Sequence, residues 1–329
     1  MPKRTEIPRA ELHTHLGSSV DPALLWSIAH RQGIKLPSKN YWDFEDMITM
    51  GATKKNKSLD DMHFNFYHWT ELIQSSPEAI EESVKSVFGG GYRKCNIVLQ
   101  ELHFNPMFRN RGGERDLDHI IMAAVWGLER ALLEYPQVKG GLVLMMDRML
   151  TFQQNKIIAQ KAIKYKNDIV GLDVGGPQRK TFSMKKIAPL FQEAKKVGLG
   201  LTIHTGEEGS LDELRYVVTK IKPQRIGHGI ICVKDGKIMK EIVKNNIVLE
   251  FCPTANLKNS VIKNISELKS IVRTFLKNKI KFTINTDGPE MYRTNIHKEQ
   301  EFLRQNKILT GREIAQCAKW AFEASFIKN

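Results

Sequence analysis

His13 and His15 close the run Ala10-Glu11-Leu12-His13-Thr14-His15, which reads as a short β-strand. Side chains alternate along a strand, so two residues that are two apart face the same way and their imidazoles can converge on one metal ion. Alone, the pair is equally consistent with two unrelated histidines near a turn. Three later segments of strand character bring company: His204-Thr205-Gly206-Glu207, Gly227-His228-Gly229 and Asn285-Thr286-Asp287-Gly288. Each delivers a metal-ligating or acid/base residue at or just past the end of a β-like run. Taken singly, each has a structural alternative. His228 between two glycines could be a barrel-interior histidine, the acid could be Glu207 or Glu208, and Asp287 could cap a helix.

The elements that must position these residues alternate along the chain. Candidate strands cover residues 10–13, 96–103, 140–146, 169–173, 200–204, 225–228, 247–252 and 281–285. Amphipathic helical spacing is clearest over 117–133, 185–197, 211–220 and 265–276. Pro22 after Asp21, and Ser76-Pro77-Glu78, read as helix starts, and Gly198 reads as a stop. Eight strands alternating with helices indicate an α/β fold, a (β/α)8 TIM barrel forming a single domain over 1–329, with functional residues at the carboxyl ends of the strands. Between the first two strands, residues about 36–76 form a helical lid insertion. It carries the aromatic run Met62-His63-Phe64-Asn65-Phe66-Tyr67-His68-Trp69. Met62 and Phe66, one helical turn apart, are the expected lid contacts to a substrate.

Composition narrows the class. At 329 residues with 41% hydrophobic content, the chain suits a soluble barrel, and no apolar stretch reaches the roughly 18 residues of a membrane helix. The N-terminal segment shows no apolar core of a secretory signal, so a cytoplasmic location is expected. Cys95, Cys232, Cys252 and Cys317 include no Cys-x-x-Cys pair, which argues against a disulfide framework and a thiolate zinc site and excludes the Pro-Cys-x-x-Cys deaminases. The net charge of +14 is dispersed in short pairs such as Lys54-Lys55 and Lys185-Lys186, without a nucleic-acid-binding motif. A solvated basic surface is therefore expected rather than a nucleic-acid partner. Any metal sits on histidine and carboxylate.

The joint order of these motifs resembles the adenosine deaminase branch of the metal-dependent amidohydrolases. The resemblance extends to Glu101-Leu102-His103-Phe104-Asn105-Pro106, Gly171-Leu172-Asp173-Val174-Gly175-Gly176 and Cys252-Pro253-Thr254-x-Asn256, and so covers essentially the whole chain. It implies one zinc ion per chain on His13, His15, His204 and Asp287, with Glu207 as the acid that protonates the purine ring and His228 orienting the attacking oxygen. Binuclear relatives bridge two metals with a lysine on the fourth strand, and no lysine lies within residues 169–176. Gly176 resembles the residue whose backbone N–H faces the purine minor-edge nitrogen.

The chain departs from the family at its recognition residues. Where His-x-His-Leu-Asp-Gly is usual, Gly17 replaces the aspartate expected to meet the ribose 5′-hydroxyl. Gly288 replaces a second aspartate expected at the imidazole edge of the purine, and His103 stands where arginine is usual. The implied substrate is a small-molecule 6-aminopurine nucleoside, with space gained for a 5′-modified one such as 5′-deoxyadenosine, methylthioadenosine, S-adenosylhomocysteine or aminodeoxyfutalosine. Adenine, AMP or a non-purine substrate are the alternatives. The oligomeric state is left open.

Overall fold

The computed structural model describes residues 7–51, 54–56, 58–110 and 117–327; residues 1–6, part of the N-terminal segment read above for a leader, lie outside them. Eight strands, β1 (Arg9–His15), β2 (Ile97–Phe104), β3 (Lys139–Asp147), β4 (Ile169–Gly175), β5 (Gly200–Thr205), β6 (Arg225–His228), β7 (Val248–Phe251) and β8 (Phe282–Ile284), form one sheet in sequential order. Every neighbouring pair is parallel. The sheet closes where Thr14 bridges to Asp287: His15 N–H donates to the Asp287 carbonyl and Asp287 N–H to the His13 carbonyl, both at 2.9 Å. The barrel expected from the alternation is the fold the chain adopts, and the residues at its seam are candidate metal ligands.

Local chemistry explains the element ends. Ser76 accepts a hydrogen bond from Ala79 N–H ahead of Pro77, opening the long helix Pro77–Cys95. That helix ends on Asn96 in a left-handed conformation (φ 51°), so β2 begins at Ile97, one residue later than the sequence pattern suggests. At the other seam strand, Asn285 leaves β8 and its side chain accepts the Leu12 N–H at 3.2 Å, tying β8 to β1 by side chain instead of ladder. The helix expected over 211–220 is α-helical only for Leu211–Tyr216. It then widens into π-helical turns over Val217–Ile221 that set Val217, Val218 and Ile221 in the core.

Apolar residues fill the layer between strands and helices, where Phe251 packs edge to face on both Phe275 and Phe282. Inside the barrel the filling is charged. Fully buried Arg225 pairs with Glu101 of β2 and Glu250 of β7. The floor below is sealed by the C-terminal segment. Phe326 N–H and the Ser325 hydroxyl donate to Glu101 at 2.7 and 2.8 Å, and the Phe326 ring centroid stands 3.5 Å from the Arg225 guanidinium. A Cβ on Gly200 would fall 2.2 Å from that ring, so the floor requires glycine there. Among the described residues no helix is long and apolar enough to cross a membrane.

A buried ion pair stripped of one partner leaves an uncompensated charge. Replacing Arg225 with Met strands two carboxylates inside the barrel and is expected to lower stability by about 3–5 kcal/mol, read as a lower urea midpoint at unchanged m-value.

Candidate active site and metal centre

Strand alternation puts His13 and His15 on the same side of β1, and β5 brings His204 to meet them. The His15 Nε2 atom lies 3.3 Å from His13 Nε2, 3.1 Å from His204 Nε2 and 3.3 Å from Asp287 Oδ1. Buried partners behind two of the rings decide which nitrogen faces inward. Glu250 Oε2 accepts from His13 Nδ1 at 2.7 Å, and Asp173 takes His204 Nδ1 at 2.9 Å. With Nδ1 spent as donor, the Nε2 atoms of His13 and His204 point at the common centre.

Such a set is short of positive charge. Burial, reinforced by neighbouring imidazoles, holds His13 and His15 well below the ordinary histidine range, so both are neutral. Burial and the nearby Glu207 push Asp287 up to about 8. Burial also opposes charge on His204, yet Asp173 outweighs it and raises that ring to about 9. A tetrahedral ion with arms of 2.0–2.1 Å separates its donors by about 3.3 Å, close to the spacings around His15. His13, His15 and His204 form one group able to hold a metal ion, and Asp287 belongs to a second with His228 and Cys252. Two neutral imidazoles, a third ring that gives up its proton when an ion takes its place, and a carboxylate that needs a counter-charge fit a divalent ion of the nitrogen-preferring kind.

Beside this set stand an acid and a base-like ring joined by one amide. Asn256 Nδ2 donates to Glu207 Oε1 at 3.1 Å and to His228 Nδ1 at 3.0 Å, which leaves the proton of His228 on Nε2, 3.4 Å from Glu207 Oε2. Burial pushes Glu207 up to about 7 and His228 down to about 3. At neutral pH the pair is a partly protonated carboxyl facing an uncharged imidazole. His228 and Asp287 both sit at positive φ, 64° and 65°, a strained backbone that aims side chains inward from the strand ends.

A cavity of about 750 Å³ opens over these groups, lined among others by His15, His204, Glu207, His228, Asp287, Gly176, Met62 and Tyr67. Its roof comes from the segment between β1 and β2, which holds the helices Tyr41–Ile48, Leu59–Met62 and His68–Ile73 and the π-helix His63–Tyr67. Asp60 of this roof pairs through both carboxylate oxygens with Arg179 and ties the roof to the segment beyond β4.

Several expected substrate contacts lie off the cavity wall. Phe66 packs beneath the roof with Met50, Cys252, Ala255, Met291 and Tyr292. Hydrogen bonds in the π-helix run to i+5, so Tyr67 takes the cavity-facing place that α-helical spacing from Met62 assigned to Phe66. His103 has both ring nitrogens engaged, Nδ1 with Asp173 at 3.0 Å and Nε2 at the Leu12 carbonyl at 3.1 Å, and is a positioning residue for Asp173. Gly17 opens no space: a Cβ there would meet the Tyr67 ring at 2.8 Å, and Tyr67 donates to Ser18 Oγ at 3.1 Å. Gly288 likewise faces Ser18, 2.5 Å from where its Cβ would be. Sequence reasoning passed over Glu250, the positioning role of Asn256, and Tyr67. The one available signal for Glu250 was an acid inside the otherwise apolar run Ile247-Val248-Leu249-Glu250-Phe251.

The sequence model of the family described as "Adenosine deaminase" matches residues 8–329. The adenosine deaminase of Vibrio vulnificus is 28% identical over 295 residues, 89% of this chain and 86% of its own. The adenine deaminase of Hahella chejuensis is 26% identical over 328 residues, 98% of this chain and 93% of its own. An amidohydrolase from Burkholderia ambifaria, solved with bound zinc, shares the fold with a TM-score of 0.85 at 15% identity, covering 98% of this chain and 86% of that one.

A ligand that binds only the folded state stabilises it. A divalent transition ion at a hundredfold excess over Kd is expected to add about 2.7 kcal/mol, seen as a rise in thermal midpoint that His204→Ala abolishes. Because binding displaces protons from the set, the rise shrinks as pH falls from 8 to 5.

Proposed function

Since the chain belongs to the adenosine deaminase family, whose reaction is the hydrolytic removal of an amino group from a purine, we propose that it deaminates a 6-aminopurine nucleoside to the 6-oxo purine and ammonia. In this reading one zinc ion per chain is held by His13, His15, His204 and Asp287. The observation that carries it is the buried Glu207–Asn256–His228 arrangement beside that donor set at the floor of one cavity. The barrel over 1–329 then works as a single catalytic unit with residues 36–76 as its lid. Four free, buried cysteines support a reducing, cytoplasmic setting.

Zinc on such a set supplies a water acidic enough to attack near neutral pH. The chain's own residues do the rest. Glu207 holds a proton and passes it to ring nitrogen N1 as the water oxygen bonds to C6. His228, through Nε2–H, donates to that oxygen and orients it. Of the two water protons, one is lost to solvent as the water becomes reactive and the other goes to the exocyclic nitrogen; the C6–N bond breaks, ammonia leaves, and Glu207 regains a proton from solvent. Asn256 fixes acid and imidazole relative to each other. The Gly176 N–H is assigned to the purine N3, and Met62 and Tyr67 form the apolar roof that excludes bulk water.

Glu207→Gln keeps the shape and removes the acid, so ammonia release from adenosine and its 5′-modified analogues is expected to fall about 10²–10⁴-fold. The acid works in its protonated form. Activity is therefore expected to decline as pH rises through about 7, where Glu207 loses its proton, and a pH profile of kcat/KM reads this limb. Chelation is expected to silence the enzyme and Zn²⁺ to restore it. A zinc-loaded protein that releases no ammonia from any aminopurine would overturn the assignment.

A further inference from the structure

Resting on the nucleoside reading, we infer that Asp147 and Glu71 form an acidic subsite that takes the ribose hydroxyls, so that the enzyme selects a nucleoside with free sugar hydroxyls over a 5′-nucleotide. Both residues are buried and line the same cavity as His204 and Glu207. Asp147 ends β3, and its Oδ1 accepts the Met149 N–H at 2.7 Å, which leaves Oδ2 free to accept from a ligand. Glu71, on the roof helix His68–Ile73, has Oε1 3.4 Å from Arg109 Nη1 and its second oxygen uncommitted.

The position of Asp147 is tied to Gly176. A Cβ on Gly176 would lie 2.4 and 2.5 Å from the two Asp147 carboxylate oxygens, and Gly176 itself has φ +83°. Only glycine lets a carboxylate stand so close to that backbone. In a purine, N3 and the sugar-bearing N9 are both bonded to C4. A base whose N3 meets the Gly176 N–H therefore sends its ribose out on the Asp147 side. A buried carboxyl facing a cavity gains most from hydroxyl donors, which satisfy it without adding charge.

Among the described residues, the same wall offers no free cation to a phosphate. Among the described residues, Arg148 is the single arginine or lysine lining the cavity. Its two terminal nitrogens are engaged by the carbonyls of Gly175, Gly176 and His204 and by Glu213, and only its buried Nε is left without a partner. Arg179 is closed on Asp60, and Arg109 is held by Glu71, Gln74 and the Asn105 carbonyl. A 5′-phosphate would enter beside Asp147, Glu71 and Glu208, with no free cation among the described residues to meet it. Burial pushes both Asp147 and Glu71 up to about 7, against the opposing pull of Arg148, Arg179 and His204 on the first and of Arg109 on the second.

The test compares kcat/KM of zinc-loaded enzyme for adenosine, 2′,3′-dideoxyadenosine and AMP in the wild type and in Asp147→Asn. Expected is a wild-type preference of tenfold or more for adenosine over both others. In Asp147→Asn the adenosine-to-dideoxyadenosine ratio should collapse toward one, mostly through KM, while AMP rises relative to adenosine. Should Asp147→Asn be inactive on every substrate, Glu71→Gln is read by the same ratios. A wild type that handles adenosine and dideoxyadenosine equally, that prefers AMP, or whose ratios both variants leave intact overturns the subsite while deamination stands. No ammonia from any purine in the wild type would instead remove the underlying reading.

Discussion

A buried chain of charge running up the barrel axis, Ser325 and Phe326 to Glu101, Glu101 to Arg225, Arg225 to Glu250 and Glu250 to His13, is the constraint on which the rest depends. Charges inside a protein are costly unless each is paired and hydrogen-bonded, and here every link meets that condition. Most barrels of this kind fill their interior with branched apolar side chains. This one gives up some of that packing to carry a polar column from its sealed floor to the rings at its mouth. The outcome at the top is a defined tautomer: His13 donates from Nδ1 and presents Nε2. The Asp173 carboxylate does the same for His204 and is itself held by His103.

Closure of the barrel and assembly of the site are one event. The hydrogen bonds that join the end of β8 to β1 involve the backbones of His13, His15 and Asp287, so their side chains meet only when the sheet closes. Ser18 reinforces the same corner, its hydroxyl donating to the carbonyls of His15 and Asp287. The site inherits the rigidity of the seam, which suits chemistry that needs donors and acid in register.

The donor set and the wall around it are held in place differently in this fold. The donors, Glu207, His228 and Asn256 make a fully connected group in which a change to one strands the others. The surrounding wall is more permissive. Tyr67 occupies the place above Gly17 and Ser18 the place beside Gly288, so the two glycines are packed against neighbours and do not open room. The cavity owes its shape to these compensations and to the acidic wall of Asp147 and Glu71, all drawn from the roof segment, the seam and the end of β3.

Strand and helix periods are local, so the alternation of eight strands with helices, and the delivery of His13, His15, His204, His228 and Asp287 to strand ends, were readable from the sequence by itself. That Glu207 would stand beside His228 was suggested by motif order. Helix boundaries at Ser76 and Gly198 were readable for the same reason, since caps and left-handed stops are written in neighbouring residues. Boundaries failed where the backbone took an unusual path, at Asn96 and in the two π-helical stretches, because five-residue turns look like ordinary helix in sequence. What only the tertiary structure decided is which partners stand behind each imidazole and which side chains fill the glycine gaps. Glu250 reaches His13 across 237 positions and Asn285 reaches Leu12 across 273, and no local pattern carries a contact whose free energy exists only once the barrel has closed.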